Sequence, residues 1–373
     1  SRTTCTAGIY RQISFSPWII RAMPNTEPQF LAMLCVRNEG AFLLDWLAHH
    51  RATGFTDFLV FSNDCSDGTD LILDRLDAMG WLTHVRQTGP FSEGPQWAAL
   101  KAANDHPLVT RARWVMVLDI DEFVNIHTGD HTLPALLAAL PTATAIPLTW
   151  RLFGNGGIVH YEDRPLWEIF TRAAPKVMGW PWRAALFKTL FRNDGTYTRL
   201  GVHRPRKPDP ARLPAQRWFD GSGRQLPHDF HRQRIFSPIG KDNYALAQIN
   251  HYALGAMESY LLKCDRGRAN REASTFDLSY WVERNLVPEE DRTLVDRAAM
   301  TAPYRRELHA DDVLGSLHQT AVAWRKNRFA TLMADEDYRA LFARLLMSPG
   351  SRVPTMTETR FLLSFAGKAT GDE

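Results

Sequence analysis

WVMVLDIDEF, residues Trp114–Phe123, runs from a strand-length apolar stretch straight into three acids. In an extended strand end, Asp119 and Asp121 stand two apart and project to the same side, while Ile120 faces the core. Two carboxylates with Glu122 beside them repel one another unless a cation sits between them. A hard divalent ion that keeps positions open for phosphate oxygens suits such a pair. The same letters also describe a strand that simply ends in an acidic turn.

Outward from this segment, three further apolar runs share its character. FLAMLCV (Phe30–Val36), FLVFS (Phe58–Ser62) and WLTHV (Trp81–Val85) read as strands. Between them, residues 39–51 repeat Phe42, Leu43, Trp46, Leu47 and His50 at helical spacing. SDGTDLILDRLDAMG reads as a helix closed by Gly80, and another helix carries Trp97, Leu100 and Lys101. Buried strands alternating with amphipathic helices predict an α/β fold with a mostly parallel sheet flanked by helices. Ligands then belong at the carboxyl ends of the strands, which collects Arg37–Glu39, Ser62–Asp67 and Asp119–Glu122 on one rim.

Residues 1–28 show no sustained period and read as an N-terminal arm. From Ala143 to Tyr252 the helical period gives way to short strand-like pieces rich in Gly, Pro and Trp, which suits a substrate-binding half built on loops. Helical patterns return from Ala256. The organisation expected is an arm (1–28), a nucleotide-binding half (29–125), an acceptor half (126–255) and a helical C-terminal region (256–373).

Composition narrows the function classes. With 373 residues and 45% hydrophobic content the chain can bury a large core without metal or disulfides. A net charge of +3, from 44 basic and 41 acidic residues, is too small for a general polyanion binder. The basic runs Arg199–Arg212 and Arg266–Arg271 are interrupted and lack interleaved aromatics, so no nucleic-acid partner is expected. Cys5, Cys35, Cys65 and Cys264 stand far apart without a CxxC pair, which points to a reducing compartment. No apolar run approaches the ~18 residues of a membrane span. A cytoplasmic location follows as the expectation, with peripheral attachment to the inner membrane left open.

SNDCSDGTD follows the second strand and leads into a helix. There Asn63, Asp64, Ser66 and Asp67 can hydrogen-bond a nucleobase edge or a ribose hydroxyl, or one of them can serve as a helix cap.

CVRNEGAFLLDWLAHHRATGFTDFLVFSNDCSDGT, LDIDEF, RLFGNGG, LWEIFTR and NHYALGAMESYLLKCDRGR together resemble the glycosyltransferases of family 2, in their bacterial subgroup related to family 92. The resemblance spans Phe30–Arg271. It implies a GT-A, Rossmann-like fold and an inverting enzyme of polysaccharide biosynthesis, in which a nucleoside diphosphate sugar, a UDP-sugar above all, donates to a glycan or lipid-linked acceptor. Arg37, Asn38 and Glu39 then line the nucleotide pocket. Ser62 and Asn63 replace a pair of aspartates in the family pattern, and Asp67 matches its later aspartate. Asp119 and Asp121 match the metal-binding D-x-D, which implies Mn2+ or Mg2+, with His203 or His251 as a third ligand.

Inversion needs a carboxylate to take the proton of the attacking hydroxyl. Glu168, between Trp167 and Phe170, is the candidate base, and Asp163 is the second choice; pairing of Glu168 with Arg172 is the structural alternative. Lys263, Arg266 and Arg268 are placed to close over the diphosphate, where a guanidinium fork suits phosphate oxygens. In RLFGNGG, the glycines Gly154, Gly156 and Gly157 are expected to let an acceptor approach the backbone. No obligate protein partner is inferred. Two other readings share the acidic cluster: a metal-dependent phosphohydrolase or nuclease, and a glycan- or nucleotide-binding module without turnover.

Overall fold

The computed structural model describes residues 29–267 and 277–365. The arm and Arg268 lie outside the described residues. In chain order the strands are β1 (Phe30–Val36), β2 (Asp57–Asn63), β3 (Thr83–Gln87), β4 (Trp114–Leu118), β5 (Glu122–Ile126), β6 (Ala145–Leu152), β7 (Arg172–Ala173), β8 (Phe187–Arg192), β9 (Tyr197–Arg199), β10 (Arg206–Pro208), β11 (Ala247–His251) and β12 (Glu289–Glu290). The helices are α1 (Gly40–Thr53), α2 (Thr69–Ala78), α3 (Pro95–Asn104), α4 (Pro107–Arg111), α5 (Leu133–Ala139), α6 (Leu166–Ile169), α7 (Met257–Arg266), α8 (Leu278–Arg284), α9 (Ala298–His309), α10 (Asp312–Leu332), α11 (Glu336–Met347) and α12 (Met356–Leu363).

An eight-stranded sheet in the order β3-β2-β1-β4-β8-β6-β11-β5 forms the centre. β3, β2, β1 and β4 run parallel, and β11 runs parallel to β6. Only β8 and β5 oppose their neighbours, so the sheet is mostly parallel. The alternation along β1 shows how the apolar run is used. Phe30, Ala32, Leu34 and Val36 enter one core with Leu43, Trp46 and Leu47 of α1, whereas Leu31 and Met33 enter a second core with Ala99 and Leu100 of α3. A strand covered on both faces needs apolar side chains at every position, which is what the sequence supplies. Helix α1 ends at Gly54, whose φ of 107° sits in the left-handed region that a Cβ disfavours.

The C-terminal helices belong to the same packing. Leu308 of α9 and Leu314, Ala321 and Val322 of α10 join the core that covers β1 and α1.

Two local expectations are corrected. β4 stops at Leu118, and Asp119–Asp121 form a turn in which Glu122 N–H donates to the Asp119 carbonyl at 3.1 Å. Antiparallel pairing of β5 with β11, in register at Glu122 and His251, redirects the chain there. In the glycine loop after β6 the second correction concerns Gly154 alone, since a Cβ on Gly157 would meet nothing within 4 Å. A Cβ on Gly154 would lie 2.5 Å from Val287 Cγ1 and 2.8 Å from the Leu286 carbonyl, so the backbone that approaches closely is the chain's own.

Candidate active site

The carboxyl ends of β1, β2 and β4 meet at one rim, and hydrogen bonds lock the first two together. Ser66 N–H donates to Asn38 Oδ1 at 2.7 Å, Glu39 N–H to Thr69 Oγ1 at 2.9 Å, and Gly40 N–H to Asp67 Oδ2 at 3.0 Å. Asp67 Oδ1 also accepts from Thr69 N–H at 2.8 Å, so this carboxylate fastens α1 to α2. Asn63 is buried, and its amide donates to Asp64 Oδ2 at 3.3 Å. Asn38 and Glu39 line a cleft at this rim, and Arg37 supplies its carbonyl, which accepts from Arg266 at 3.1 Å.

The acidic turn is held from three sides. Trp46 Nε1–H of α1 donates to the carbonyls of Asp119 at 3.2 Å and Glu122 at 3.1 Å, pinning both ends of the turn. Asp119 Oδ2 accepts from Lys188 Nζ of β8 at 2.9 Å, and its Oδ1 accepts from Gln96 at 3.1 Å. Lys188 is 0% exposed and also stands 3.4 Å from Glu122 Oε2. Glu122 further accepts from the Asp119 N–H at 2.9 Å and from Trp150 Nε1–H at 2.7 Å. Burial pushes the Glu122 carboxyl up, against the pull of Lys188. Burial also works against the Lys188 ammonium, but Asp119 and Glu122 outweigh it.

Asp121 turns the other way. Its Oδ2 accepts from Lys263 Nζ of α7 at 2.8 Å and lies 3.7 Å from His251 Nε2. Burial disfavours its charge, yet Lys263 and then His251 hold it well below the usual carboxylate range. His203 and His251 flank Trp150, with ring centroids 5.6 and 4.2 Å away. His203 Nδ1–H donates to the Phe187 carbonyl at 3.0 Å, and burial pushes this imidazole down to about 4.

These groups do not fit a divalent ion bridging Asp119 and Asp121. Each carboxylate already carries its own lysine, and an added ion would meet two ammonium groups. Among the described residues no three His, Cys, Asp or Glu side chains converge as metal ligands. Of the ligand set expected from Asp119, Asp121 and His203 or His251, the structure brings His251 to 3.7 Å from Asp121, while each aspartate is paired with a lysine.

The cleft itself is lined by Asn38, Glu39, Phe42, Ile120, Asp121, Leu166, Tyr252, Lys263 and Arg266, with Trp324 and Arg325 contributed by α10. Arg266 is ion-paired with Glu39, and burial lowers its guanidinium to about 10. Arg325 Nη1 lies 3.9 Å from Glu39 Oε2, and its guanidinium sits 4.5 Å above the Phe42 ring.

The acids proposed as bases sit outside this lining. Asp163 accepts from His318 at 2.8 Å and from Gln319 at 3.4 Å, and these bonds tie it to α10. Glu168 is part-exposed on α6, with Arg164 Nη2 at 3.5 Å; Arg172 instead donates to the carbonyls of Val287 and Pro288. Reading the sequence alone missed Lys188, Trp324 and Arg325. Lys188 had a signal, as the lone charge inside the apolar run Phe187–Phe191, whereas Arg325 sits in an ordinary amphipathic helix.

No family model matches the chain. A glycosyltransferase family 92 protein of Ricinus communis is 29% identical over 99 residues, covering 25% of this chain and 16% of that protein. Another, of Oryza sativa subsp. japonica, is 28% identical over 106 residues, 27% of this chain and 17% of that protein. The chain thus spans about a sixth of the length of the curated relatives it matches. Among solved structures, TarS of S. aureus overlaps 36% of this chain and 23% of its own at 17% identity and a TM-score of 0.26. Glucosyl-3-phosphoglycerate synthase of Mycobacterium tuberculosis, in complex with Mn2+, UDP and glucosyl-3-phosphoglycerate, overlaps 33% of this chain and 44% of its own at 17% identity and a TM-score of 0.23. Structural overlaps this slight carry no argument, and it is to two plant family 92 proteins that a quarter of this sequence is similar.

Proposed function

We propose that the chain transfers a sugar from a nucleoside diphosphate sugar, a UDP-sugar first among them, to a hydroxyl of a glycan or related acceptor, with inversion at the anomeric carbon. The observation that carries this reading is the cleft at the carboxyl rim of the sheet, where Lys263, Arg266 and Arg325 gather around Glu39 and Asp121. A cleft at this edge of a parallel sheet is where α/β folds take nucleotides, and its cations suit phosphate oxygens. The similarity to two family 92 glycosyltransferases supports the same chemistry.

In this reading the departing nucleoside diphosphate leaves from one face of the sugar while the acceptor hydroxyl attacks from the other. A carboxylate takes the hydroxyl proton. Glu168 is the proposed base, because α6 also brings Leu166 into the cleft wall and the Arg164 contact is long. Asp163 is set aside, since His318 holds its carboxylate in the packing of α10. A phosphohydrolase or nuclease would need the acids free to gather metal ions, and both aspartates are occupied by lysines.

A thermal-shift series with UDP, GDP and their sugars tests the donor. A ligand bound only by the native state at a hundred times its Kd adds about 2.7 kcal/mol, which for a chain of this size raises Tm by roughly 3–4 °C. Glu168→Gln should keep that shift and lose transfer to an added acceptor. No shift with any nucleotide, or phosphate release without a sugar donor, would overturn the proposal.

A further inference from the structure

A diphosphate needs cations, and the lysines on Asp119 and Asp121 leave no place for a metal between them. What the cleft offers instead is a set of side-chain cations drawn from two helices. Lys263 Nζ stands 2.8 Å from Asp121 Oδ2. Arg266 reaches Glu39 and, at 3.1 Å, the Arg37 carbonyl. Arg325 enters from α10 with its side chain only 6% exposed, and its Nε has no hydrogen-bond partner.

These details point to an anionic ligand. Lys263, Arg266 and Arg325 converge on one wall of the cleft, where Arg325 also feels Asp67 and Glu258 more remotely; Asp265, another acid in the lining, is already taken by Arg328 at 2.8 and 2.6 Å. A buried guanidinium N–H without an acceptor is costly to leave unmade, and an incoming phosphate oxygen would satisfy it. The rings of Phe42 at 4.5 Å and Tyr161 at 5.0 Å hold the Arg325 guanidinium in place, so little freedom is lost when an anion binds.

We infer that the nucleoside diphosphate is bound by Lys263, Arg266 and Arg325 without a divalent ion, and that α10 completes the donor site through Arg325. This rests on the proposed nucleotide-sugar reading and deepens it. The same cations would offset the charge that develops on the departing diphosphate, the part a bound metal plays elsewhere.

The test is titration calorimetry of UDP into the full chain, once in EDTA and once in Mn2+. The expected result is a Kd in EDTA within about threefold of that in Mn2+. Arg325→Met should weaken UDP by roughly 10-fold or more in both buffers, as the loss of a charge-assisted hydrogen bond does, and Arg325→Lys should recover part of it. Melting of each variant without ligand shows that it is folded; if Arg325→Met melts early, the two buffers compared on the unaltered chain decide. UDP binding that requires Mn2+, or an Arg325→Met variant that is folded and binds as the unaltered chain does, overturns the inference and leaves the donor reading standing. Absence of binding in both buffers, for UDP and GDP alike, overturns both.

Discussion

Asp121→Asn is expected to cut the rate of sugar transfer by about 10²–10³-fold, the scale on which one preorganised electrostatic group acts in a site shielded from water. The carboxylate holds Lys263 at 2.8 Å, and the side chain of Lys263 is itself only 15% exposed. An amide at this position keeps the shape and removes the counter-charge, so the ammonium loses the partner that aims it into the cleft. Lys263 retains the Ala253 carbonyl at 2.7 Å, which limits the accompanying loss of stability. Initial rates at saturating donor, read beside the melting temperature, separate the two effects. A transfer rate within threefold of the unaltered chain would remove the acidic turn from the site.

The second large effect concerns stability. Lys188→Met should destabilise the fold by about 3–5 kcal/mol, because removing one partner of a buried ion pair strands the charge left behind. Here two acids depend on one ammonium: Asp119 at 2.9 Å and the wholly buried Glu122 at 3.4 Å. Methionine fills a similar volume, so the loss is electrostatic. Urea titration followed by circular dichroism gives the number, and adding Glu122→Gln to the same variant should return part of it. A loss below about 1 kcal/mol would mean that Trp150 and the Asp119 N–H satisfy Glu122 without Lys188.

Much of the architecture could be read from letters alone, for a physical reason. A strand buried on both faces has no freedom to carry polar residues, and so Phe30–Val36 and Trp114–Leu118 announce themselves. The rim followed from the rule that loops after parallel strands share an edge, and Asn38, Glu39 and Asp121 do line the cleft. What escaped the reading was set by distant partners. Whether Asp119 and Asp121 point together depends on where β4 ends, and β11 decides that by pairing with β5. Asp67 has the letters of a ligand contact, yet its oxygens are taken by the backbone of Gly40 and Thr69. Gly154 looks like a ligand passage, and only the fold reveals Leu286 and Val287 against it. Arg325 had no local signal, because its role comes from the packing of α10 on α1 and the place this gives it above Phe42.

The reach of α10 back to Phe42 also bears on synthesis. While the ribosome has released the chain only through β11, every strand of the central sheet has been made, but the guanidinium that sits over Phe42 has not. Domains tend to condense as they emerge, so this sheet can assemble ahead of the element that finishes its rim. Nucleotide capture would then mark the emergence of α10, and a nascent polypeptide stalled before it would stay silent toward the nucleotide.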